Sequence, residues 1–153
     1  KKAEYDYTEA KKILYTNYNG CVSILERAAA RLEERKSGFI VGISSVAGDR
    51  GRRSNYFYGS AKAGFTAYLS GLRGRLAAAG VQVLTVKPGF VNTKMIEDRD
   101  HPGLLTAEPD EAARDIFHAQ QKGRNVMYTR WFCRYIMLIV RLVPESIFKK
   151  LNF

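Results

Sequence analysis

The chain has 153 residues and an apolar fraction of 46%, enough for one domain with its own core and too apolar for wholesale disorder. No apolar run reaches the ~20 residues that span a bilayer, no secretory leader is visible, and Cys21 and Cys133 fit no metal spacing, so two buried thiols in a reducing cytoplasm are expected. The formal net charge of +10 is uneven: residues 122–153 carry seven Lys/Arg against Glu145 alone, a local +6 that leaves +4 for the first 121 residues, so any preference for nucleic acid or an anionic membrane belongs to the tail.

A long helix is predicted over residues 8–36. Thr8 and Glu9 start it, Ile13, Leu14, Tyr18, Cys21, Val22, Leu25 and Leu32 recur near helical spacing, and Ser37-Gly38 stops it. Residues 39–44 form an apolar run without strict alternation, as in a buried parallel strand. The Gly- and Arg-rich stretch 46–55 reads as a loop, in which Arg50, Arg52 and Arg53 are expected to be solvated, with attraction of an anionic substrate as the alternative. A second helix spans 56–79 and ends at Gly80; a second buried strand, 81–87, closes at Pro88-Gly89. Residues 90–106 read as a loop with room for short helices, 108–121 as a third helix begun by Pro109, and 125–129 as a brief strand. Helices alternating with strands predict an α/β fold with a parallel sheet and right-handed crossovers. Ligands of such sheets bind beyond the carboxyl ends of the strands, which here are Ser44-Ser45 and Pro88-Gly89.

Chemistry gathers at those ends. Tyr58-x-x-x-Lys62 sets a phenol and an ammonium on one helix face, a pair that alone could be a solvated surface pair. Its neighbours add weight: Ser45 lies thirteen residues earlier at a strand end, Asn17 sits in the preceding long helix, and Pro88-Gly-Phe-Val91-Asn-Thr93 follows the next strand. Asn17, Ser45, Tyr58, Lys62 and Pro-Gly-x-Val-x-Thr, in that order, resemble the short-chain dehydrogenase/reductase family, and Ile43-Ser-Ser-Val-Ala-Gly48 is similar to its most specific segment. Ser44 rivals Ser45, and Asn19 rivals Asn17; spacing favours Ser45 and Asn17. Tyr56 reads as a packing or substrate-wall aromatic, His101 as a solvated loop residue, and His118 as a surface or boundary residue.

A free phenol ionises near pH 10, and a cation one turn away favours the phenolate. Carried over residue by residue, the resemblance makes Tyr58 the general acid in carbonyl reduction and the base in oxidation. Lys62 supplies the cation and binds the ribose of a nicotinamide cofactor. Ser45 donates to the substrate oxygen, and Asn17 holds a water linking Lys62 to solvent. Thr93, with the backbone of Pro88, Gly89 and Val91, holds the carboxamide. The cofactor is NADP or NAD, with NADP favoured by resemblance only. The fold implied is a Rossmann-like doubly wound sheet, truncated: no Gly-x-Gly-x-x-Gly or Gly-x-x-x-Gly-x-Gly occurs, so the N-terminal strands and phosphate-binding loop are expected to be missing and the chain to be a fragment, inactive alone. Residues 95–105 would be the substrate-selecting lid.

Two parts are expected, the reductase-like body over 1–129 and a basic amphipathic tail over 130–153. In the tail Arg130, Arg134, Arg141, Glu145 and Lys149 fall on one helical stripe beside Trp131, Tyr135, Ile136, Leu138, Ile139 and Leu142, if the turn at Pro144 is ignored. That pattern fits a helix at an anionic membrane surface; docking on the body or on a second subunit is the alternative, and nucleic acid is disfavoured by the large aliphatic residues. Together with Ser45-Val-Ala-Gly-Asp-Arg-Gly-Arg, the tail resembles a bacterial subgroup similar to decaprenylphosphoryl-ribose 2-ketoreductases. This implies a small or lipid-linked carbonyl substrate, a peripheral position on the inner membrane face and, at full length, a homo-oligomer. The rival reading is a non-enzymatic, reductase-like docking module, against which the intact Asn-Ser-Tyr-Lys set argues.

Overall fold

A computed structural model describes residues 2–94, 96 and 103–151. Helices α1 (Lys2–Tyr5) and α2 (Tyr7–Leu14) open the chain, the second capped by Asp6, whose carboxylate accepts from the Thr8 amide at 2.8 Å. A π-turn, Tyr15–Asn19, joins α2 to α3 (Gly20–Arg35), so the helix predicted over 8–36 is continuous but carries one wide turn. Strand β1 (Phe39–Ile43), a single 3₁₀ turn (Val46–Gly48), α4 (Tyr56–Ala77) and β2 (Gln82–Lys87) follow. Next come β3 (Phe90–Val91), β4 (Thr106–Ala107), α5 (Pro109–Gln121), β5 (Val126–Tyr128), α6 (Cys133–Leu142) and α7 (Glu145–Phe148).

The main sheet is parallel in the order β1-β2-β5, with Ile43 opposite Val86 and Lys87 opposite Tyr128. Strand periodicity sorts its side chains onto two faces. Ile40 and Val83 join Phe65, Leu69, Leu72 and Leu76 of α4 and Ala29 of α3, whereas Leu84 and Val86 join Met127 and Ala119 on the α5 side. Helices therefore cover both faces, as expected of a doubly wound α/β sheet. The α4 face lies so close to β1 that a β-carbon on Gly42 would stand 2.3 Å from Leu69. Arg73 of α4 reaches over the sheet to the carbonyls of Val83 and Asn125, at 2.8 Å each, and so ties β2 to β5.

Over 90–106 a short 3₁₀ turn forms at Gly103–Leu105, in keeping with a loop that carries short helices, but Phe90 and Val91 also pair in parallel with Thr106 and Ala107. The pairing is invisible locally because each strand has only two residues. His101 and most of the lid, residues 95 and 97–102, lie outside the described residues. The tail is also not one helix. Arg130 adopts a left-handed backbone (φ 57°) before α6 begins, and its guanidinium pairs with Glu111 at 3.2 Å and the Thr106 carbonyl at 3.0 Å. It therefore leaves the predicted stripe, while Trp131, Tyr135, Leu138, Ile139 and Leu142 stay exposed as expected. No helix among the described residues is long and apolar enough to cross a membrane.

Candidate active site

The β1–β2 ladder runs on past the strands: the Ser44 amide donates to the Val86 carbonyl at 2.8 Å and the Val46 amide to the Pro88 carbonyl at 3.0 Å. Ser45 and Pro88-Gly89 are thereby held side by side at the carboxyl end of the sheet. The two serines face different tasks. Ser44 is 2% exposed, and its hydroxyl bonds the Lys62 carbonyl at 3.0 Å and the Thr66 hydroxyl at 2.7 Å, pinning α4 to the strand end. Ser45 caps the 3₁₀ turn, its Oγ accepting from the Ala47 amide at 3.1 Å, which leaves its own proton available to an incoming oxygen.

Helix α4 approaches this loop backbone to backbone. A β-carbon on Gly48 would meet the Lys62 carbonyl carbon and the Ala63 nitrogen at 2.7 Å, and one on Gly59 would meet the Ala47 carbonyl oxygen at 2.9 Å. That closeness sets Tyr58 and Lys62 at the strand end. Lys62 is 9% exposed, donates to the Ile43 carbonyl at 3.0 Å, and holds its Nζ 5.7 Å from the centre of the Tyr58 ring. Burial pulls the ammonium below the ordinary lysine value, with Cys21 acting weakly the other way. Tyr58 is half-buried, and no hydrogen bond engages its hydroxyl among the described residues.

Asn17 lies in the π-turn, its side-chain amide donating to the Ile13 carbonyl at 3.0 Å. The turn packs on α4: the Tyr18 ring comes 3.5 Å from where a β-carbon of Gly64 would stand. No direct hydrogen bond joins Asn17 to Lys62. On the other side, the Gly89 amide donates to the Thr129 hydroxyl at 3.1 Å. Val91 sits in β3, and the exposed Thr93 donates to the Val91 carbonyl at 3.2 Å. Ser45, Tyr58, Lys62, Pro88 and Gly89 thus share the strand ends, Asn17 stands across α4, and Thr93 lies beyond β3.

Several partners escaped sequence reasoning. Asp49 forms a buried ion pair with Lys87 and accepts from the Tyr128 hydroxyl at 2.9 Å. Burial, then the bond to Asp49, keeps that phenol well above the ordinary tyrosine value. A lysine ending a strand that reads as buried was the available signal, since a buried ammonium requires a partner. Arg50 and Arg52, expected to be solvated, instead contact the tail: Arg50 donates to the Val140 and Val143 carbonyls at 2.5 and 2.6 Å, and Arg52 approaches the Met137 sulfur at 3.9 Å. Their partners lie some ninety residues away, beyond the reach of local pattern. Arg53 is exposed, as is His118.

The free donors at the strand ends are the Ser45 and Tyr58 hydroxyls and the remaining N–H groups of Lys62. Such a set suits a ligand rich in acceptor oxygens, as a ribose, a carboxamide and a carbonyl are. It fits the nicotinamide half of a dinucleotide; the sequence contains no Gly-rich turn for the pyrophosphate.

The family model of the short chain dehydrogenases matches residues 1–102. The chain belongs to the short-chain dehydrogenase family. It is 37% identical over 150 residues to an uncharacterized oxidoreductase of Mycobacterium tuberculosis, covering 98% of this chain and 60% of that protein. It is 34% identical over 143 residues to an uncharacterized oxidoreductase of Streptomyces coelicolor, covering 94% and 56%. Among solved structures it resembles a short chain dehydrogenase from Burkholderia cenocepacia in complex with NADP (TM-score 0.83, 21% identity, 97% of this chain and 61% of that one). A second is a short-chain dehydrogenase from Sphingobium yanoikuyae in complex with NADPH (TM-score 0.75, 19% identity, 98% and 60%). These two likenesses establish the fold. The chain spans about 60% of the length of these family members.

Proposed function

We propose that the full-length protein is an NAD(P)-dependent oxidoreductase that interconverts a carbonyl and its alcohol, with NADPH the favoured reductant. The observation that carries the reading is the convergence of Ser45, Tyr58 and Lys62 on one strand end, each with a proton to donate. When bound, the nicotinamide supplies the hydride that forms the new C–H bond. Tyr58 gives its phenolic proton to the carbonyl oxygen as negative charge develops there. Ser45 donates to the same oxygen, steadying the charge. Lys62 places a cation beside the phenol, and its remaining N–H groups would hold the ribose hydroxyls of the cofactor. Asn17 holds a water through which Lys62 regains contact with solvent protons. The backbone at Pro88, Gly89 and Val91, with Thr93, orients the carboxamide.

NADPH absorbance followed over a panel of ketones tests this in the full-length protein. Tyr58→Phe should lower kcat by about 10²–10⁴-fold, as for loss of a general acid, with unchanged circular dichroism. Turnover by the variant at the wild-type rate would reject the assignment of Tyr58, and a wild type that oxidises no NADPH with any ketone would favour the non-enzymatic docking module.

A finer reading concerns the substrate and its location. Tyr135, Leu138, Ile139 and Leu142 form an exposed row on α6, preceded by the exposed Trp131, and the same helix carries Arg134 and Arg141, with Lys149 and Lys150 close behind. Aromatic and aliphatic surface bordered by cations complements an anionic bilayer. This favours a peripheral protein on the cytoplasmic membrane face that acts, as a homo-oligomer, on a lipid-linked carbonyl such as an oxidised sugar. Co-sedimentation with phosphatidylglycerol vesicles, and not with phosphatidylcholine vesicles, is the expected result. Equal recovery with both would reject the membrane seat.

A further inference from the structure

Arg50 stands five residues beyond Ser45 and carries an unusual load for a loop arginine. Its Nη1 donates to the Val140 and Val143 carbonyls at 2.5 and 2.6 Å, its Nη2 pairs with Glu145 at 2.9 Å, and its Cζ lies over the Phe148 ring, 3.7 Å from the ring centre. The last carbonyls of a helix have no partners within it and mark the negative end of its dipole. A cation inserted there satisfies both, and charge-assisted bonds are stronger than neutral ones. Only a planar, multidentate group can bridge two carbonyls and a carboxylate while stacking on a ring; an ammonium cannot.

The hairpin held in this way touches both loops of the candidate site. Arg50 and Arg52 grip it from the loop after β1, and Cys133, at its start, packs 3.5 Å from where a β-carbon of Gly89 would lie, on the loop after β2. The link from Arg50 back to Ser45 is stiff. The Gly48 amide donates to the Ser45 carbonyl and the Asp49 amide to the Val46 carbonyl, both at 3.1 Å, and Asp49 is itself anchored by Lys87 and Tyr128. The bonds of the arginine clasp are thus the strongest polar tie between the hairpin and this stiff loop, beside the softer contacts of Arg52 and Cys133.

We propose that Arg50 is a positioning residue that fixes the α6–α7 hairpin as a wall of the carbonyl-binding cleft. This rests on the reductase reading above. The clasp sets how the carbonyl substrate is held and leaves cofactor affinity and proton transfer to the groups on α4.

Arg50→Ala, Arg50→Lys and, as control, Arg53→Ala are compared in the full-length enzyme. Arg50→Ala should raise KM for the carbonyl substrate at least tenfold while KM for NADPH stays within twofold. Amide exchange over 133–150 should quicken at least tenfold, with β1 and β2 still protected. Arg50→Lys should recover less than half of the lost affinity, and Arg53→Ala should match wild type. An active wild type whose Arg50→Ala variant keeps its carbonyl KM, or keeps slow exchange in the hairpin, overturns the wall alone. A wild type that reduces no carbonyl overturns the reductase reading and the wall with it. Should Arg50→Ala fail to fold, Glu145→Gln removes one arm of the clasp; a roughly threefold rise in carbonyl KM is expected, and an unchanged value overturns the proposal.

Discussion

Between α4 and the 3₁₀ turn after β1 the backbones touch. Gly42, Gly48 and Gly59 each stand where a β-carbon would collide, and Ser44, Lys62, Asp49 and Lys87 have their polar atoms engaged by fixed partners. The tail is held otherwise: Trp131 and Leu142 are about three-quarters exposed, and the segment is secured by Arg130 at its root, by the buried Cys133, Met137 and Phe148, and by the clasp of Arg50. The comparison teaches that rigidity is concentrated around the candidate site, whereas the tail is docked on that frame through few contacts. Regions of that second kind open at lower free energy than a core does.

The sharpest way to break the contrast is Asp49→Ala. It strands the buried Lys87 ammonium and the Tyr128 hydroxyl, and loss of one partner of a buried pair costs about 3–5 kcal/mol. Urea unfolding should show that loss; a change under 1 kcal/mol would mean the frame is softer than it looks. Gly48→Ala comes next. Its methyl group has only the Lys62–Ala63 backbone to push against, and overpacking of this kind costs about 1–3 kcal/mol. Catalysis should fall with it, since Ser45 and Lys62 are being forced apart; unaltered turnover would separate the close approach from the chemistry.

A gentler probe is alkaline pH. Tyr128, raised by burial and Asp49, and Tyr68, raised by burial and its bond to Glu26, both keep their protons longer in the folded than in the unfolded chain. The stability they contribute is complete below the ordinary phenol value of 10.0 and is lost as pH climbs toward their raised values. Lys62, lowered by burial, gives the opposite slope, so the comparison must be made against variants. The fall in Tm above pH 10 should be shallower in Tyr128→Phe than in wild type, and equal slopes would contradict the assignment. The smallest effect belongs to the tail surface. Leu138→Glu and Leu142→Glu should each move stability by no more than about 0.5 kcal/mol, as surface substitutions do. Each should also weaken recovery on phosphatidylglycerol vesicles.

How much of this could be read beforehand follows the same division. The strands and α4 were legible because apolar runs of strand length and a Gly stop at position 80 are local signals. Ser45, Tyr58 and Lys62 were legible through their spacing, since a helix start next to a strand end leaves little freedom in where those side chains go. The π-turn at Tyr15–Asn19 was not, because apolar spacing does not distinguish one widened turn from a regular one. The β3–β4 pair and the Arg50 clasp join residues far apart in sequence, and an arginine between Asp49 and Gly51 reads as solvated until the distant helix end is in place. In the tail, the exposed residues were foreseen, but the left-handed backbone at Arg130 was not.

The chain holds a single indole, Trp131, set edge-on to Phe132 and Tyr135 at the root of the hairpin rather than in either core. Intrinsic fluorescence therefore watches the hairpin. A thermal melt followed at tryptophan emission would report detachment of α6 at a temperature where the sheet is still intact, and far-ultraviolet dichroism would register a later transition. Two midpoints from one sample would be the optical mark of a tail that lets go before the frame melts.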